Sequence, residues 1–482
     1  MALSSLDWQT LYVQALVLLR DARPAEAADK LRRLLADDPS HSRARGNLIR
    51  ALIGAGSFAD VIVETTSFGH DDPEMLYHRG SAFSALSQPE AARDTLMGAV
   101  ARDPAHAAAW LNLGNVFVDL DDLDQGAAHC RQAMALDPRL IEARVSLGFI
   151  LTEQGHLTEA RAVLEAAIKL APDNVHAHWN LATAALLAGD LTRGFAEYEW
   201  RKRHDRFRRD FIDLPGPVWS GDDPSGRTIL VHAEQGLGDT IQFARFLPIL
   251  ASRGGTPILA CEPALIPLLE TIPGVRALPK SGPLPDYDAW IDQMSLPLVF
   301  GTTLESIPGA QGYIPVRPGL RQPGPRVIGL AWRGNPLHSN DRHRTPPEDI
   351  FAPLLASSRH RFVSLVPNAV LPGVEPALIA LTDYAATASV IAGLDLVISV
   401  DTSIAHLAGA MGRPAWVLLP FAPDWRWLLN RTDTPWYRSL RLFRQPARGA
   451  WPAVIANIAA ALAEREKFGW TGGNQAWEAA NG

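Results

Sequence analysis

The chain has few of the features that mark secreted or metal-stabilised proteins. Among its 482 residues there are two cysteines, Cys130 and Cys261, which lie in segments that we assign to different domains. Neither a disulfide framework nor a cysteine metal cluster is therefore supported, and this composition fits a reducing compartment. We expect a soluble, cytoplasmic protein.

Long apolar runs are also missing. The N-terminal stretch 11–19 is interrupted by Gln14, has no basic segment before it and is too short to span a bilayer. We interpret this stretch as the first helix of a repeat, and we predict no transmembrane segment.

The chain has no excess of positive charge. Its formal net charge is −7, which offers no general attraction to nucleic acid or to an anionic membrane, so we expect no nucleic-acid partner. The dense basic run at residues 201–209 is interpreted mainly as a solvated linker face.

What the chain does contain is a regular period in its first 200 residues. Pro104, Pro138 and Pro172 stand 34 residues apart, which is the length of a tetratricopeptide helix-turn-helix unit. Gly114 and Gly148 recur within the period, and glycine at a helix crossing permits close packing. The flanking units are weaker, as terminal repeats commonly are.

Residues 8 to about 200 resemble the tetratricopeptide family, with a degenerate repeat over residues 42–72. The resemblance implies a concave groove that binds a protein or a peptide. As an alternative, the repeats would only brace or dimerise a catalytic domain. Between these, we favour capture of an acceptor.

The pattern changes after the turn-forming cluster at residues 215–217. Short β-rich runs then alternate with helical stretches: a strand over 228–232, a glycine-rich loop over 235–238, a helix over 240–250 and a second strand over 257–261. This alternation predicts a doubly wound α/β half-domain.

A dinucleotide-binding fold is one alternative for this half-domain. Glu262 ends the second strand, where a ribose-binding acid would lie. The glycine pattern disagrees, because Ile241 stands where the dinucleotide fingerprint needs its third small residue. A nicotinamide or flavin enzyme is therefore the weaker hypothesis.

Asp239 lies in the first turn of the helix that follows the first strand. Accepting hydrogen bonds from backbone N–H groups at the helix start is a sufficient structural explanation for an aspartate there. The same position, however, points a carboxylate into the crevice beyond the strand ends, where open α/β sheets bind ligands. A general base could act there.

A second α/β half begins near Arg326. A strand over residues 327–332 leads into Arg333-Gly334-Asn335 and then into a polar, basic loop that ends at Arg344. Arginine and asparagine side chains donate hydrogen bonds to phosphate, and arginine can do so bidentately. The loop is a candidate anion site, although an ordinary exposed loop explains any single residue in it.

The strand predicted over residues 395–400 ends in another candidate site. Asp401 can cap the following helix, Thr402 and Ser403 place hydroxyls at its positive end, and Thr402 shares a face with His406. A helix N-terminus with hydroxyls favours a diphosphate. We predict ligand contact for this group as a whole.

Four segments together resemble glycosyltransferase family 9, the inverting heptosyltransferases, and specifically its relatives with tetratricopeptide repeats in front. They are residues 234–240, 329–335, 401–406 and 423–427, within a resemblance that covers about residues 227–460. It implies a GT-B fold, in which two Rossmann-like halves hold a nucleotide-sugar between them. The stretch 454–466 would then be the terminal helix that packs across both halves.

On this resemblance, Asp239 is the catalytic base that deprotonates the acceptor. The implied donor-binding residues are Gln235, Gly236, Gly238, Trp332, Arg333, Asn335, Arg344, Asp401, Thr402, Ser403 and His406. The basic donor-binding residue of the family matches either Arg333 or Arg344, and Ser403 replaces a glycine found in many heptosyltransferases. The resemblance implies no metal and no cofactor besides the nucleotide-sugar co-substrate.

The predicted fold class is α + α/β, an N-terminal tetratricopeptide α-solenoid followed by a GT-B glycosyltransferase. The predicted parts are the repeat domain 1–205, a linker 206–226, the N-terminal acceptor half 227–322, the C-terminal nucleotide-sugar half 323–468 and a tail 469–482.

The predicted activity is transfer of a hexosyl or related sugar from a nucleotide-sugar. Lipopolysaccharide heptosyltransferases of this fold lack repeats, so the fused groove favours a polypeptide acceptor, flagellin being one, held near the cleft at raised effective concentration. Two alternatives stay open. One is an inactive scaffold or nucleotide sensor in a surface-glycan assembly, and the other is transfer to a lipid-linked or lipopolysaccharide glycan.

Overall fold

The computed structural model describes residues 4–68, 72–315, 324–338, 340–369 and 371–470. The predicted fold class is confirmed, since a helical repeat region precedes two parallel α/β sheets. The chain divides into two compact units between residues 180 and 181. This division falls before the predicted linker, and the predicted tail lies outside the described residues from 471 onward.

The repeat period is built from paired helices of similar length. Their bounds are α1 (Ser5–Arg20), α2 (Pro24–Asp37), α3 (Ser42–Gly54), α4 (Phe58–Phe68), α5 (Pro73–Ala85), α6 (Pro89–Arg102), α7 (Ala107–Asp119), α8 (Leu123–Leu136), α9 (Ile141–Glu153), α10 (Leu157–Leu170), α11 (Val175–Leu187) and α12 (Leu191–Tyr198). The predicted first repeat helix is thus confirmed as α1. The division between the two units falls inside α11.

The periodic prolines stand directly after helix ends. Pro104 and Pro138 follow the C-terminal caps Asp103 and Asp137 of α6 and α8, and Pro172 follows the cap of α10 in the same way. Proline cannot continue a helix, so it fixes where the second helix of each pair ends.

Glycine is required where the two helices of a repeat cross. A Cβ atom built on Gly148 would lie 2.4 Å from Cγ of Leu164, and one on Gly114 would lie 2.8 Å from Sγ of Cys130. Real Cβ atoms do not approach so closely, so the predicted close packing at these two glycines is confirmed.

The second unit contains two separate parallel sheets. Their strands are β1 (Thr228–His232), β2 (Thr256–Cys261), β3 (Arg276–Pro279), β4 (Ala289–Asp292), β5 (Val327–Ala331), β6 (Arg361–Ser364), β7 (Leu396–Val400), β8 (Ala415–Leu419) and β9 (Leu440–Arg444). The strand order is β3-β2-β1-β4 in the N-terminal half and β6-β5-β7-β8-β9 in the C-terminal half. The order reverses beside β1 and between β5 and β7, and ligands bind at such switch points in open α/β sheets.

The helices of the second unit that follow α12 are mostly short. They are α13 (Leu237–Phe243), α14 (Leu247–Ser252), α15 (Ile266–Leu269), α16 (Leu296–Val299), α17 (Asp341–Arg344), α18 (Ala352–Ser357), α19 (Tyr384–Ala392), α20 (Ser403–Ala410) and α21 (Trp451–Phe468). The single helix predicted over residues 240–250 begins earlier and is divided by a 3₁₀ turn at residues 244–246.

The long terminal helix α21 supplies core to the C-terminal half. Val454 and Ile458 are fully buried in one cluster with Trp332, Trp416 and Phe443. None of the described helices is both long enough and apolar enough to cross a membrane.

The interpretation of residues 201–209 as a solvated face is wrong for Arg201. A 3₁₀ turn, Glu199–Arg203, continues α12 and carries Arg201 into the second unit's interior, where the side chain has no exposed surface. The carboxylate of Glu234, equally buried, compensates its charge, which a sequence pattern of like charges does not reveal.

Candidate active site

Asp239 lies where the two halves of the second unit meet. Its Oδ2 accepts a hydrogen bond from the backbone N–H of Gly236 at 2.9 Å, which closes the first turn of α13. Its Oδ1 accepts from Nη2 of Arg426, a residue of the C-terminal half. The side chain keeps 20% of its surface exposed. Asp239 therefore caps its helix and also contacts the opposite half.

Arg426 is held by three further contacts. Its Nε donates to Oε1 of Gln242 at 2.7 Å, and its Nη1 donates to Oδ1 of Asp424 at 2.8 Å. The guanidinium lies 4.3 Å from the ring centroid of Trp425, within the range of a cation–π contact. A cation is thus fixed beside Asp239 although 92% of its side-chain surface is buried.

The first turns of α13 and α20 approach each other at Gly238. A Cβ atom on Gly238 would lie 2.9 Å from Cδ2 of His406 and 3.4 Å from Cα of Ser403. Only glycine permits this approach, which brings the Asp239 turn of the N-terminal half against the predicted donor turn of the C-terminal half.

The hydroxyls of the α20 turn are ordered by their neighbours. Thr402 caps the helix and accepts a hydrogen bond from the N–H of Ile404 at 3.3 Å, and its Oγ1 lies 3.1 Å from Oγ of Ser399. Oγ of Ser403 lies 2.5 Å from the hydroxyl of Tyr384. Asp401 was predicted to cap this helix, but the N-terminal cap is Thr402, one residue later.

His406 is buried behind this turn. Its Nδ1 lies 2.9 Å from the hydroxyl of Tyr437, and its ring stacks on Trp427 with centroids 5.3 Å apart. Burial, with the charges of Arg426 and Arg245, lowers the pKa of His406 well below its ordinary value. The imidazole is neutral at physiological pH and offers no positive charge to a phosphate.

Asp401 and Arg344 come together with the loop that follows β5. Nη1 of Arg344 donates to the carbonyl oxygen of Asp401 at 3.1 Å, and Nη2 donates to that of Asn335 at 3.3 Å. A Cβ atom on Gly334 would lie 2.5 Å from Nη2 of Arg344. Burial, and then the charge of Asp424, raises the pKa of Asp401 to about 6.

The two arginines considered for the donor site differ in position. Arg344 is 12% exposed and joins the turns after β5 and β7. The side chain of Arg333 is 46% exposed and lies 3.4 Å from Glu348. Trp332, also predicted to bind the donor, is fully buried in the core, and its Nε1 donates to Glu348 at 2.9 Å.

The loop before Asp239 is supported by the segment that ends the repeat period. Gln235 has a positive φ of 63°, and its side chain lies 3.2 Å from the hydroxyl of Tyr198. Arg201 donates to both carboxylate oxygens of Glu234, at 2.9 and 2.6 Å, and to Ser295 at 2.9 Å. These contacts hold the start of the loop, where Gln235 has a conformation that a non-glycine residue rarely adopts.

Two sequence-family models match the chain. A tetratricopeptide repeat model matches residues 12–60, 77–140 and 150–199, and the model of glycosyltransferase family 9 (heptosyltransferase) matches residues 368–418, which include the turn after β7. The chain therefore contains stretches that match tetratricopeptide repeats and one stretch, residues 368–418, that matches family 9 glycosyltransferases. Within that region lie Asp401, Thr402, Ser403 and His406.

Among curated proteins, the chain is similar to Protein FlbA of Caulobacter vibrioides. The two are 30% identical over 323 residues, which are 58% of this chain and 54% of FlbA. The chain thus spans about half the length of this relative.

The chain also has a low similarity to two solved structures. MamA from Desulfovibrio magneticus RS-1 is 20% identical, with a TM-score of 0.32, covering 35% of this chain and 96% of its own. A tetratricopeptide repeat protein from Parabacteroides merdae is 15% identical, with a TM-score of 0.35, covering 41% of this chain and 79% of its own. Both matches cover less than half of this chain.

Sequence reasoning missed the side chains that surround the predicted residues. Arg426 lay in a segment used for the resemblance, yet no role was assigned to it. Tyr198, Tyr384 and Tyr437 have no local pattern that marks them, since each meets its partner through the fold. Trp425 and Trp427, in the same segment as Arg426, are buried.

Proposed function

We propose that the chain is an inverting glycosyltransferase that moves a sugar from a nucleotide-sugar to a polypeptide. The observation that carries this proposal is the pair of turns in contact at Gly238. One turn holds the carboxylate of Asp239, and the other holds the hydroxyls of Thr402 and Ser403 at the start of α20. The family 9 match over residues 368–418 supports the same class of reaction.

The N-terminal half supplies the base. The acceptor hydroxyl gives its proton to Asp239 while its oxygen forms a bond to the anomeric carbon. On the other face, the bond from that carbon to the diphosphate breaks, and the electron pair leaves with the nucleoside diphosphate. Each oxygen of Asp239 accepts one hydrogen bond within the protein, so lone pairs remain for the acceptor.

The C-terminal half supplies the donor site. The start of α20 combines a positive helix end with two hydroxyls, an arrangement that suits a diphosphate. Arg344 bridges this turn and the loop after β5, so it orders both segments. No metal is required by this proposal, because donors and positive charge come from the chain.

The repeats supply the acceptor preference. Stacked tetratricopeptide pairs form surfaces that bind proteins and peptides, and the repeat model matches three stretches before the family 9 region. A polypeptide acceptor, with flagellin as one candidate, and modification in the cytoplasm follow as parts of the proposal.

The test is a ligand screen followed by a transfer assay. The melting temperature of the full chain is measured with UDP-, GDP-, ADP-, CMP- and dTDP-sugars, because a ligand that binds only the folded state stabilises it, by about 2.7 kcal/mol at 100 times its Kd. We expect the nucleotide-sugars of one class to raise the melting temperature. We also expect mass spectrometry to show that the sugar of that donor becomes attached to a polypeptide. If none stabilises the protein, the proposal is wrong.

A further inference from the structure

We propose that Arg426 exchanges partners during the reaction, leaving Asp239 for the diphosphate of the donor. Donor binding would then release the base. The inference rests on the proposed function and adds a residue that acts in it, together with an order of events.

Arg426 lies between the two predicted sites. Its guanidinium pairs with Asp239, whose turn contacts Ser403 and His406 of the donor turn through Gly238. A diphosphate at the start of α20 would therefore lie near this guanidinium. Arg333 is half-exposed and paired with Glu348 instead.

The ion pair with Arg426 restricts access to the base. With Arg426 on Oδ1 and the N–H of Gly236 on Oδ2, both carboxylate oxygens of Asp239 already accept hydrogen bonds. An acceptor hydroxyl that approaches Oδ1 must therefore compete with the charged Nη2 of Arg426 for a position on that oxygen. Once Nη2 has left, Oδ1 can accept a hydrogen bond from the hydroxyl.

The guanidinium of Arg426 can exchange one contact without moving as a whole. Nε keeps its hydrogen bond to Gln242, and Nη1 keeps its hydrogen bond to Asp424. The guanidinium plane keeps its cation–π contact with the ring of Trp425. Only the Nη2 contact to Asp239 must be replaced. A diphosphate carries more charge than a carboxylate and accepts charge-assisted hydrogen bonds, so it competes well for that nitrogen.

The sequence of events balances in protons and electrons. The donor binds, and Nη2 of Arg426 passes from Asp239 to a phosphate oxygen. The acceptor hydroxyl then loses its proton to Asp239 as its oxygen bonds to the anomeric carbon. The sugar–phosphate bond breaks, and its electron pair stays on the diphosphate, where Arg426 stabilises the new charge.

The exchange predicts an unusual effect of Asp239→Asn on anion binding. Because the carboxylate competes with the diphosphate for Arg426, its removal should tighten binding. We expect inorganic pyrophosphate, measured by calorimetry on the full chain, to bind D239N about tenfold more tightly than wild type, which is about 1.4 kcal/mol. Arg426→Met should weaken binding.

A double-mutant cycle separates exchange from simple charge repulsion. In the R426M background, D239N should give no gain, because the competition has been removed. A gain that persists there, or no gain in the single variant, overturns the exchange. Because Arg426 is buried, Arg426→Lys is made as well. A lysine cannot reach Gln242, Asp424 and Asp239 together, so the D239N gain should shrink in that background, and an undiminished gain counts against the exchange.

Failure of this inference is distinguishable from failure of the proposed function. If wild type does not bind pyrophosphate but is stabilised by a nucleotide-sugar, the exchange is wrong and the glycosyltransferase proposal stands. Asp205→Asn is the matched control, since its side chain is 84% exposed. This variant should bind pyrophosphate like wild type.

Discussion

Arg201 and Glu234 form an ion pair in which neither side chain has any exposed surface. Nη2 and Nε of Arg201 lie 2.6 and 2.9 Å from the two carboxylate oxygens of Glu234. Arg201 follows α12, and Glu234 follows β1 just before the turn that carries Asp239. The segment that ends the repeat period is thus part of the second unit.

Breaking this pair should destabilise the second unit. Arg201→Met leaves the Glu234 carboxylate buried without its cation, and such a change costs about 3–5 kcal/mol. Arg208→Met, at a side chain that is 84% exposed, should change the free energy of unfolding by no more than about 0.5 kcal/mol. Urea unfolding followed by tryptophan fluorescence measures both. The double variant R201M/E234L should recover part of the loss, and equal stability of R201M and R208M would contradict the prediction.

Asp239→Asn should remove sugar transfer while the fold is retained. An amide cannot take the proton of the acceptor, and general-base assistance is worth about 10²–10⁴-fold in rate. The rate of acceptor labelling by the stabilising donor measures the effect, with D205N as the control. Turnover of D239N close to wild type would show that another group is the base.

Gly238→Ala should disturb the contact between the two halves. Its Cβ would lie 2.9 Å from Cδ2 of His406, a side chain held by Tyr437 and Trp427. Overpacking of this kind costs about 1–3 kcal/mol, and we expect a lower melting temperature and a lower kcat/KM for transfer.

The matched control for this variant is Gly46→Ala. Gly46 lies in α3, and a Cβ there meets nothing within 4 Å. Since alanine is the better helix former, G46A should stabilise by up to about 1 kcal/mol. If G238A has the stability and kinetics of wild type, the close approach at Gly238 is unimportant.

Asp401 should make stability depend on pH. Its pKa is 3.8 when unperturbed and is raised to about 6 by burial and by Asp424, so the folded state binds more protons between these values. The free energy of unfolding therefore falls as pH rises from about 4 to about 6, by on the order of 2 kcal/mol.

Asp401→Asn isolates this contribution. The variant should gain stability relative to wild type across the same pH interval, and the difference should be constant above about pH 7. Urea unfolding at pH 4.5, 5.5, 6.5 and 7.5 would measure it. Parallel pH profiles for the two proteins would show that Asp401 is not perturbed.

Local sequence patterns predicted the strands and helix ends whose positions are set by neighbouring residues. The strand over residues 228–232 was predicted with the observed bounds of β1, since an apolar run between turn residues fixes a buried strand. Pro104, Pro138 and Pro172 marked helix ends because proline acts on its own backbone. Asp239 was predicted as the N-terminal cap of its helix; the cap residue is Gly236, and the Asp239 side chain, three residues later, accepts the N–H of Gly236.

The side-chain positions that were not predicted depend on contacts between residues that are distant in the sequence. Arg426 and Asp239 are 187 residues apart, and no pattern in the sequence around either residue predicts their contact. Arg201 sits in a run of like charges that ordinarily indicates a solvated surface. Its burial is determined by Glu234, which lies in another element. The position of Trp332 inside the core likewise follows from α21, more than 100 residues later.

The placement of α12 in the second unit limits how such a protein can diversify. Phe195 and Tyr198 of α12 lie after residue 180, inside the second unit. A recombination point after α12 would separate the sheets from these two side chains, which contact Trp425 and Gln235. The final helix of the repeat period must therefore be inherited together with the sheets.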